Sequence, residues 1–243
     1  MIQSKNLTDI LAIGAHPDDI ELSCSGSLIK HIQQGKKVSM VDLTRGELGT
    51  RGSAQLRVEE AELARSIIGA EDRLNLGFRD GFFKVDEEHL REVVKVIRLK
   101  KPAIILCNAV DDRHPDHGKG AELVKQACFY SGLMKFETKW EGSMQEVHRP
   151  KALYHYIQFK YIRPDFLVDI TAQHELKMKA IKAFSSQFYD PTSDEPDTLI
   201  SSKGFLDFIE ARMLEFGRII GVKHAEGFTA QRIPGVEDLF SLT

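Results

Sequence analysis

Ala15-His16-Pro17-Asp18-Asp19 sets an imidazole beside two carboxylates, directly after the apolar run Ile10-Leu11-Ala12-Ile13. A second cluster, Arg113-His114-Pro115-Asp116-His117, follows another apolar run, Ala103-Ile104-Ile105-Leu106-Cys107. Two His/Asp clusters placed alike after two strands can converge on one metal ion. Catalytic zinc commonly takes three protein ligands and leaves a fourth position for water, and His16, Asp19 and His117 supply such a set. Asp18 then stands beside the metal without ligating it. It is positioned to take a proton from water whose pKa a metal has lowered, so it is the candidate general base. His114 and His117 are three residues apart, so one can bind metal while the other faces substrate as proton donor or oxyanion stabiliser. Asp116 is expected to orient His114 through a hydrogen bond. Each residue alone has a plainer reading, since Asp18 or Asp19 can simply cap a helix.

The loop Arg45-Gly46-Glu47-Leu48-Gly49-Thr50-Arg51-Gly52 matches neither the dinucleotide nor the P-loop glycine pattern, so a nucleotide cofactor is unsupported. Arg51, and Arg57 beyond the loop, are candidates for clamping a carboxylate or a hydroxyl-rich substrate. Asp80 can accept sugar hydroxyls or simply make a turn. Arg45 and Arg51 are equally readable as surface residues. The remaining histidines, among them His174 and His224, lack metal-ligand spacing and read as structural.

The elements that must position these residues follow from periodicity. Short β-branched runs alternate with longer helical-period segments, the pattern of a parallel sheet covered by helices. The expected fold is therefore α/β, a Rossmann-like three-layer αβα arrangement with a mostly parallel sheet, as one domain over residues 1–243. Strands are expected at 10–14, 37–43, 73–76, 103–107, 153–158 and 166–170. Helices are expected at 19–34, 56–68, 87–99, 118–129, 172–188 and 203–220, with Gly35 and Gly69 ending the first two. The apolar stripes Leu176/Ala180/Phe184/Phe188 and Phe205/Ile209/Met213/Phe216/Ile220 read as core, and 189–202 as a loop edging a pocket.

With 243 residues, 42% of them apolar, and a net charge of −3, the composition is that of an ordinary globular protein without the basic footprint of a nucleic-acid binder. No apolar run approaches a membrane span, Met1–Asn6 is not followed by a leader-like region, and three scattered cysteines suit a reducing compartment. The expectation is a cytoplasmic protein with no nucleic-acid or membrane partner.

On Ala15-His16-Pro17-Asp18-Asp19 and His114-Pro115-Asp116-His117 the chain resembles the LmbE/PIG-L family of zinc-dependent N-acetylglucosaminyl deacetylases. Weaker motifs, Asp42 through Gly52, Leu74-Asn75-Leu76-Gly77 and Ala225-Glu226-Gly227-Phe228, are similar to the bacillithiol-biosynthesis branch. The resemblance implies one Zn2+ on His16, Asp19 and His117, with Asp18 as base. It implies that His114 stabilises the oxyanion or protonates the leaving amine, and that Arg57 contacts substrate. It further implies N-acetylglucosaminyl malate as substrate, a homo-oligomer that is often a hexamer, and in some members a tyrosine at the oxyanion. His/Asp ligands also accept iron, cobalt or manganese. Competing readings are deacetylation of another amino sugar and a sugar- or metal-binding module without turnover. A two-metal phosphoesterase lacks enough ligands.

Overall fold

The computed structural model describes residues 7–242; Met1–Asn6, read above for a leader, lies outside them. Its centre is a seven-stranded sheet built from β1 (Ile10–Gly14), β2 (Val38–Thr44), β3 (Asp72–Phe78), β4 (Ile104–Cys107), β7 (Ala152–Tyr156), β8 (Phe166–Asp169) and β9 (Ala225–Ala230). The order is β3-β2-β1-β4-β7-β9-β8. The five strands from β3 to β7 run parallel, and β9 pairs antiparallel with both β7 and β8. Two further short strands, β5 (Lys139–Trp140) and β6 (Ser143–Met144), form a separate hairpin.

Alternation along β1 explains the layers. Leu11 and Ile13 pack with residues of α3 (Glu87–Lys100) and α4 (Pro115–Tyr130), whereas Ile10 and Ala12 pack with α1 (Asp19–Gln33) and α5 (His174–Lys182). Because successive side chains leave a strand on opposite faces, a strand covered on both sides must be apolar throughout, and every residue of β1 is buried. On the α1 side, α2 (Ala54–Ile68) and α6 (Phe205–Ile219) join α5 in a second apolar cluster around Phe184, Phe188 and Met213.

Several expected boundaries move. Pro115 occupies the first turn of α4, so this helix begins inside the second motif rather than at Gly118. The reason is that proline's missing N–H and fixed φ suit the first helical turn. The segment expected as one helix over 172–188 is a short 3-10 turn followed by α5, which ends at Lys182. Strand β9 and the β5–β6 hairpin were not anticipated. Val58, which helical period places inward, is 42% exposed, and Cys128 is only partly buried.

The topology creates one special crevice. The chain leaves β1 toward β2 and β3, then returns through β4 on the other side of β1. Ligand sites of open α/β sheets lie at such a reversal, beyond the carboxyl ends of the strands. Ile13 is in register with Cys107, so the loops after β1 and β4 emerge side by side.

Candidate active site

Residues 15–19 leave the end of β1, and Asp18 occupies the N-cap position of α1 with φ 111°. That left-handed conformation is costly for a residue with a Cβ, about 1–3 kcal/mol, and Asp18 makes no side-chain capping bond in return. Its carboxylate instead meets Arg57, Nη2 to Oδ2 at 2.8 Å. Asp19 turns back to accept from the backbone N–H of His16 at 2.9 Å, and from Asn108 Nδ2 and Gln158 Nε2, each at 2.9 Å. Helix capping therefore does not account for the Asp18 carboxylate.

The donor atoms converge as the two-cluster reading expects. His16 Nδ1 lies 3.6 Å from Asp19 Oδ2, and His117 Nε2 lies 3.0 Å from Asp19 Oδ1. The far nitrogen of each histidine is held by a carboxylate: His16 Nε2 by Asp80 at 3.0 Å, with Asp116 at 3.5 Å, and His117 Nδ1 by Asp112 at 2.5 Å. Metal-binding histidines are characteristically oriented by such carboxylates. His16, His114 and His117 also bring nitrogens within 4.8 Å of one another.

Electrostatics point the same way, because buried carboxylates here demand positive charge. Burial works to lower His16, yet its hydrogen bonds to the carboxylates of Asp116, Asp19 and Asp80 raise it well above the ordinary imidazole value. Burial is likewise overcome at His117, which the Asp19 charge and the bond to Asp112 lift to about 9. Asp19 would be raised by burial but is held well below the carboxylate range, chiefly by His117 and His16. Two imidazole protons or one divalent cation can satisfy this cluster, and its His/Asp donors fit the cation. Metal and protons then compete for the same nitrogens.

Asp18 behaves differently. Burial pushes its carboxyl up to about 7, although Arg57 opposes the rise. A pKa near the working pH suits a general base. His114, at the N-cap of α4, accepts the Asp116 backbone N–H on Nδ1 at 3.2 Å. That bond fixes the proton of the neutral ring on Nε2. Burial and the neighbouring charges of His16 and His117 lower its pKa, keeping the ring neutral. Its free edge is thus an N–H donor.

Four expectations are corrected by these contacts. The Asp116 side chain does not orient His114; only its backbone does, while its carboxylate accepts from Gly81 N and Lys119 Nζ and faces His16. The cause is the early start of α4, which turns Asp116 inward. Asp80 spends its oxygens on His16 and on the Leu48 N–H, so it positions a histidine rather than awaiting sugar hydroxyls. Arg57 is 5% exposed and donates to Asp18 and to the carbonyls of Pro17 and Gly46, so its Nη atoms serve the Asp18 loop instead of standing open as a bidentate clamp for a substrate carboxylate. Gly46, at φ 65°, lies so close to this guanidinium that a Cβ would collide with it. Arg51 is buried and ties its loop to Ser186 and Ser193, with Glu195 at 3.5 Å.

Asp112, Asn108 and Gln158 are site residues that sequence reasoning missed. Asp112 had a legible signal in its place just before the second motif. Gln158, just after β7, had none.

A cavity of about 370 Å³ opens over this cluster. One wall carries His16, Asp18, Asp19, His114 and His117, and the opposite wall is the α6 stripe Phe205, Ile209, Met213 and Phe216. The stripe read as core is therefore also a cavity wall. None of the described lining residues is a tyrosine. Arg113 is exposed at the cavity, stacks on Phe159 at 5.3 Å, and has no ion pair among the described residues.

Comparison with known proteins bears on the family rather than on individual site residues. Residues 11–128 match the profile of the family described as PIG-L: GlcNAc-PI de-N-acetylase. The chain is 28% identical to the diacetylchitobiose deacetylase of Thermococcus kodakarensis, over 93% of this chain and 84% of that protein. It is 36% identical to the uncharacterized deacetylase YaiS of Escherichia coli, over 57% of this chain and 79% of the relative. To the probable N-acetyl-alpha-D-glucosaminyl L-malate deacetylase 2 of Bacillus anthracis it is 30% identical, but over only 51% of this chain and 60% of that one. Among solved structures, the conserved protein TT1542 from Thermus thermophilus superposes with a TM-score of 0.85 at 30% identity, covering 96% of this chain and 99% of the other.

Proposed function

The chain belongs to the PIG-L family, and from that membership and the His/Asp site we propose that it is a metal-dependent hydrolase removing the acetyl group from an N-acetylglucosaminyl conjugate. The observation that carries this reading is Asp18, a buried carboxylate beside the donor set, titrating near neutrality and held by Arg57. A module that only binds sugar or metal has no need of such a group.

His16, Asp19 and His117 would hold the metal, which we read as Zn2+. A cation there supplies Lewis acidity, polarising the acetamide carbonyl and making water more acidic. Asp18 accepts the proton of the attacking water. The His114 Nε2–H donates to the oxygen that gains charge as the carbonyl becomes tetrahedral, an interaction stronger in the transition state than in the ground state. Asp80 and Asp112 keep the two ligand imidazoles turned inward. The departing amine then takes a proton from Asp18 or His114.

For the aglycone we read malate, on the motif resemblance and on Arg113, whose guanidinium has no ion pair among the described residues and suits an anionic group at the cavity mouth. The similarity to a diacetylchitobiose deacetylase across most of the chain favours an uncharged disaccharide as the second reading. Acetate release from N-acetylglucosaminyl malate, N,N'-diacetylchitobiose and free N-acetylglucosamine tests both. Preference for the malate conjugate, lost in Arg113→Ala, is the expected result. Preference for the disaccharide overturns the aglycone, and no acetate from any amide overturns the hydrolase.

A further inference from the structure

On the face of α6 next to the one that lines the catalytic cavity, a second group of donors meets. His174 begins α5, Glu210 lies within α6, and His224 directly precedes β9. His174 Nε2 is 2.5 Å from one Glu210 oxygen and His224 Nε2 is 2.9 Å from the other. The two imidazole rings stack with centroids 3.9 Å apart and planes 7° from parallel. One donor atom from each residue lies within 4.8 Å of the other two.

We propose that His174, Glu210 and His224 form a second transition-metal site, suited to Zn2+ or a similar divalent ion, that staples α6 to α5 and β9.

The donor chemistry supports it. Two imidazole nitrogens and one carboxylate are a recurring three-ligand set for zinc, with water completing a tetrahedron. Without an ion, both Nε2 atoms must carry protons to reach the same carboxylate. An ion would replace those two protons, with the rings rotating out of their present stack, planes 7° from parallel, so that both Nε2 lone pairs and a Glu210 oxygen face one point. Glu210 is ready as the anionic member: burial would raise it, but the two histidines hold it below the ordinary carboxylate range.

Access and anchoring are also in place. His174 and Glu210 keep side-chain exposures of 22% and 33%, which leaves an open path, while His224 is buried at 2%. The His224 backbone is pinned on both sides, its N–H donating to Thr171 Oγ1 and its carbonyl accepting from Ile170. The ion would therefore bind a donor set carried by three elements that are already fixed. On the neighbouring face of α6, Ile209 and Met213 line the catalytic cavity, so this staple would also steady that wall.

Equilibrium dialysis against micromolar Zn2+, with metal counted by mass spectrometry, tests the site. The His16→Ala/His117→Ala protein lacks two donors of the catalytic cluster and should still retain one ion per chain. Adding His174→Ala or Glu210→Gln should abolish that binding and the rise in Tm that zinc produces. In the otherwise unaltered protein, His174→Ala should remove one equivalent and spare catalytic-site loading, which guards against misfolding of the double variant. No ion in the double variant with unaltered retention by His174→Ala, or an ion kept after Glu210→Gln, overturns the proposal and identifies the cluster as a hydrogen-bonded clamp only. Neither result bears on the catalytic metal.

Discussion

Arg57 sits against the carboxylate assigned as base, and removing its charge should move the pH profile rather than merely weaken binding. Its Nη2 lies 2.8 Å from Asp18 Oδ2, and its charge opposes the burial that lifts Asp18 to about 7. The active form is the carboxylate, so activity is present above this pKa and lost as pH falls through it. An adjacent opposite charge typically lowers a carboxyl pKa by 1–3 units, so Arg57→Met should shift the acid limb of kcat/KM upward by roughly that much. At pH 7 the ionised fraction then falls from about one half to roughly 9% for one unit and 0.1% for three, a loss of about 5- to 500-fold that is recovered in alkali. A bound cation lowers the limb in both proteins, so the difference persists. Steady-state kinetics from pH 5 to about 10 on one N-acetylated sugar measures it, with Arg57→Lys expected to restore part of the shift. A uniform loss at every pH with an unmoved limb would refute the argument and make Arg57 a substrate contact.

Other consequences are equally specific. Asp80→Asn and Asp112→Asn should each weaken metal affinity by about 10–100-fold while the fully loaded proteins turn over far better than that loss suggests, as read by competition with a chelator. Lys177→Met strands Glu226, its fully buried partner at 2.8 Å, and should cost about 3–5 kcal/mol in urea unfolding, whereas Lys177→Met/Glu226→Gln should cost less. Gly217→Ala would put a Cβ 2.5 Å from the Lys223 carbonyl oxygen, so a loss of about 1–3 kcal/mol is expected by the same method.

The β1 and β4 motifs were legible because both are local: an apolar run, then histidine, proline and aspartate. Chain order even placed them together, since parallel strands joined by helices bring their carboxyl ends to one edge. Contacts made across the fold were not legible. Asp80 comes from the turn after β3 and Gln158 from the end of β7, and nothing in their neighbours marks them as holding His16 or Asp19. The error at Asp116 was one of helix phase, because starting α4 three residues early redirects its carboxylate from His114 toward Gly81 and Lys119. Arginine roles failed for a related reason. A sequence shows a guanidinium but not whether a buried carboxylate such as Asp18 already holds it. Strand β9 was missed because Ala225-Glu226-Gly227 lacks β-branched residues, and its glutamate is inward to meet Lys177 and the Gly26 and Ser27 N–H groups of α1.

If a carboxylate beside a metal drives amide hydrolysis, acetate release by chelator-stripped protein must depend on whether zinc is added back. Stripped protein should release no acetate, and returning zinc should restore release. Asp18→Asn should take up as much zinc yet run about 10²–10⁴-fold slower, the usual contribution of a general base. Undiminished acetate release by the stripped protein, or by zinc-loaded Asp18→Asn, would contradict that mechanism.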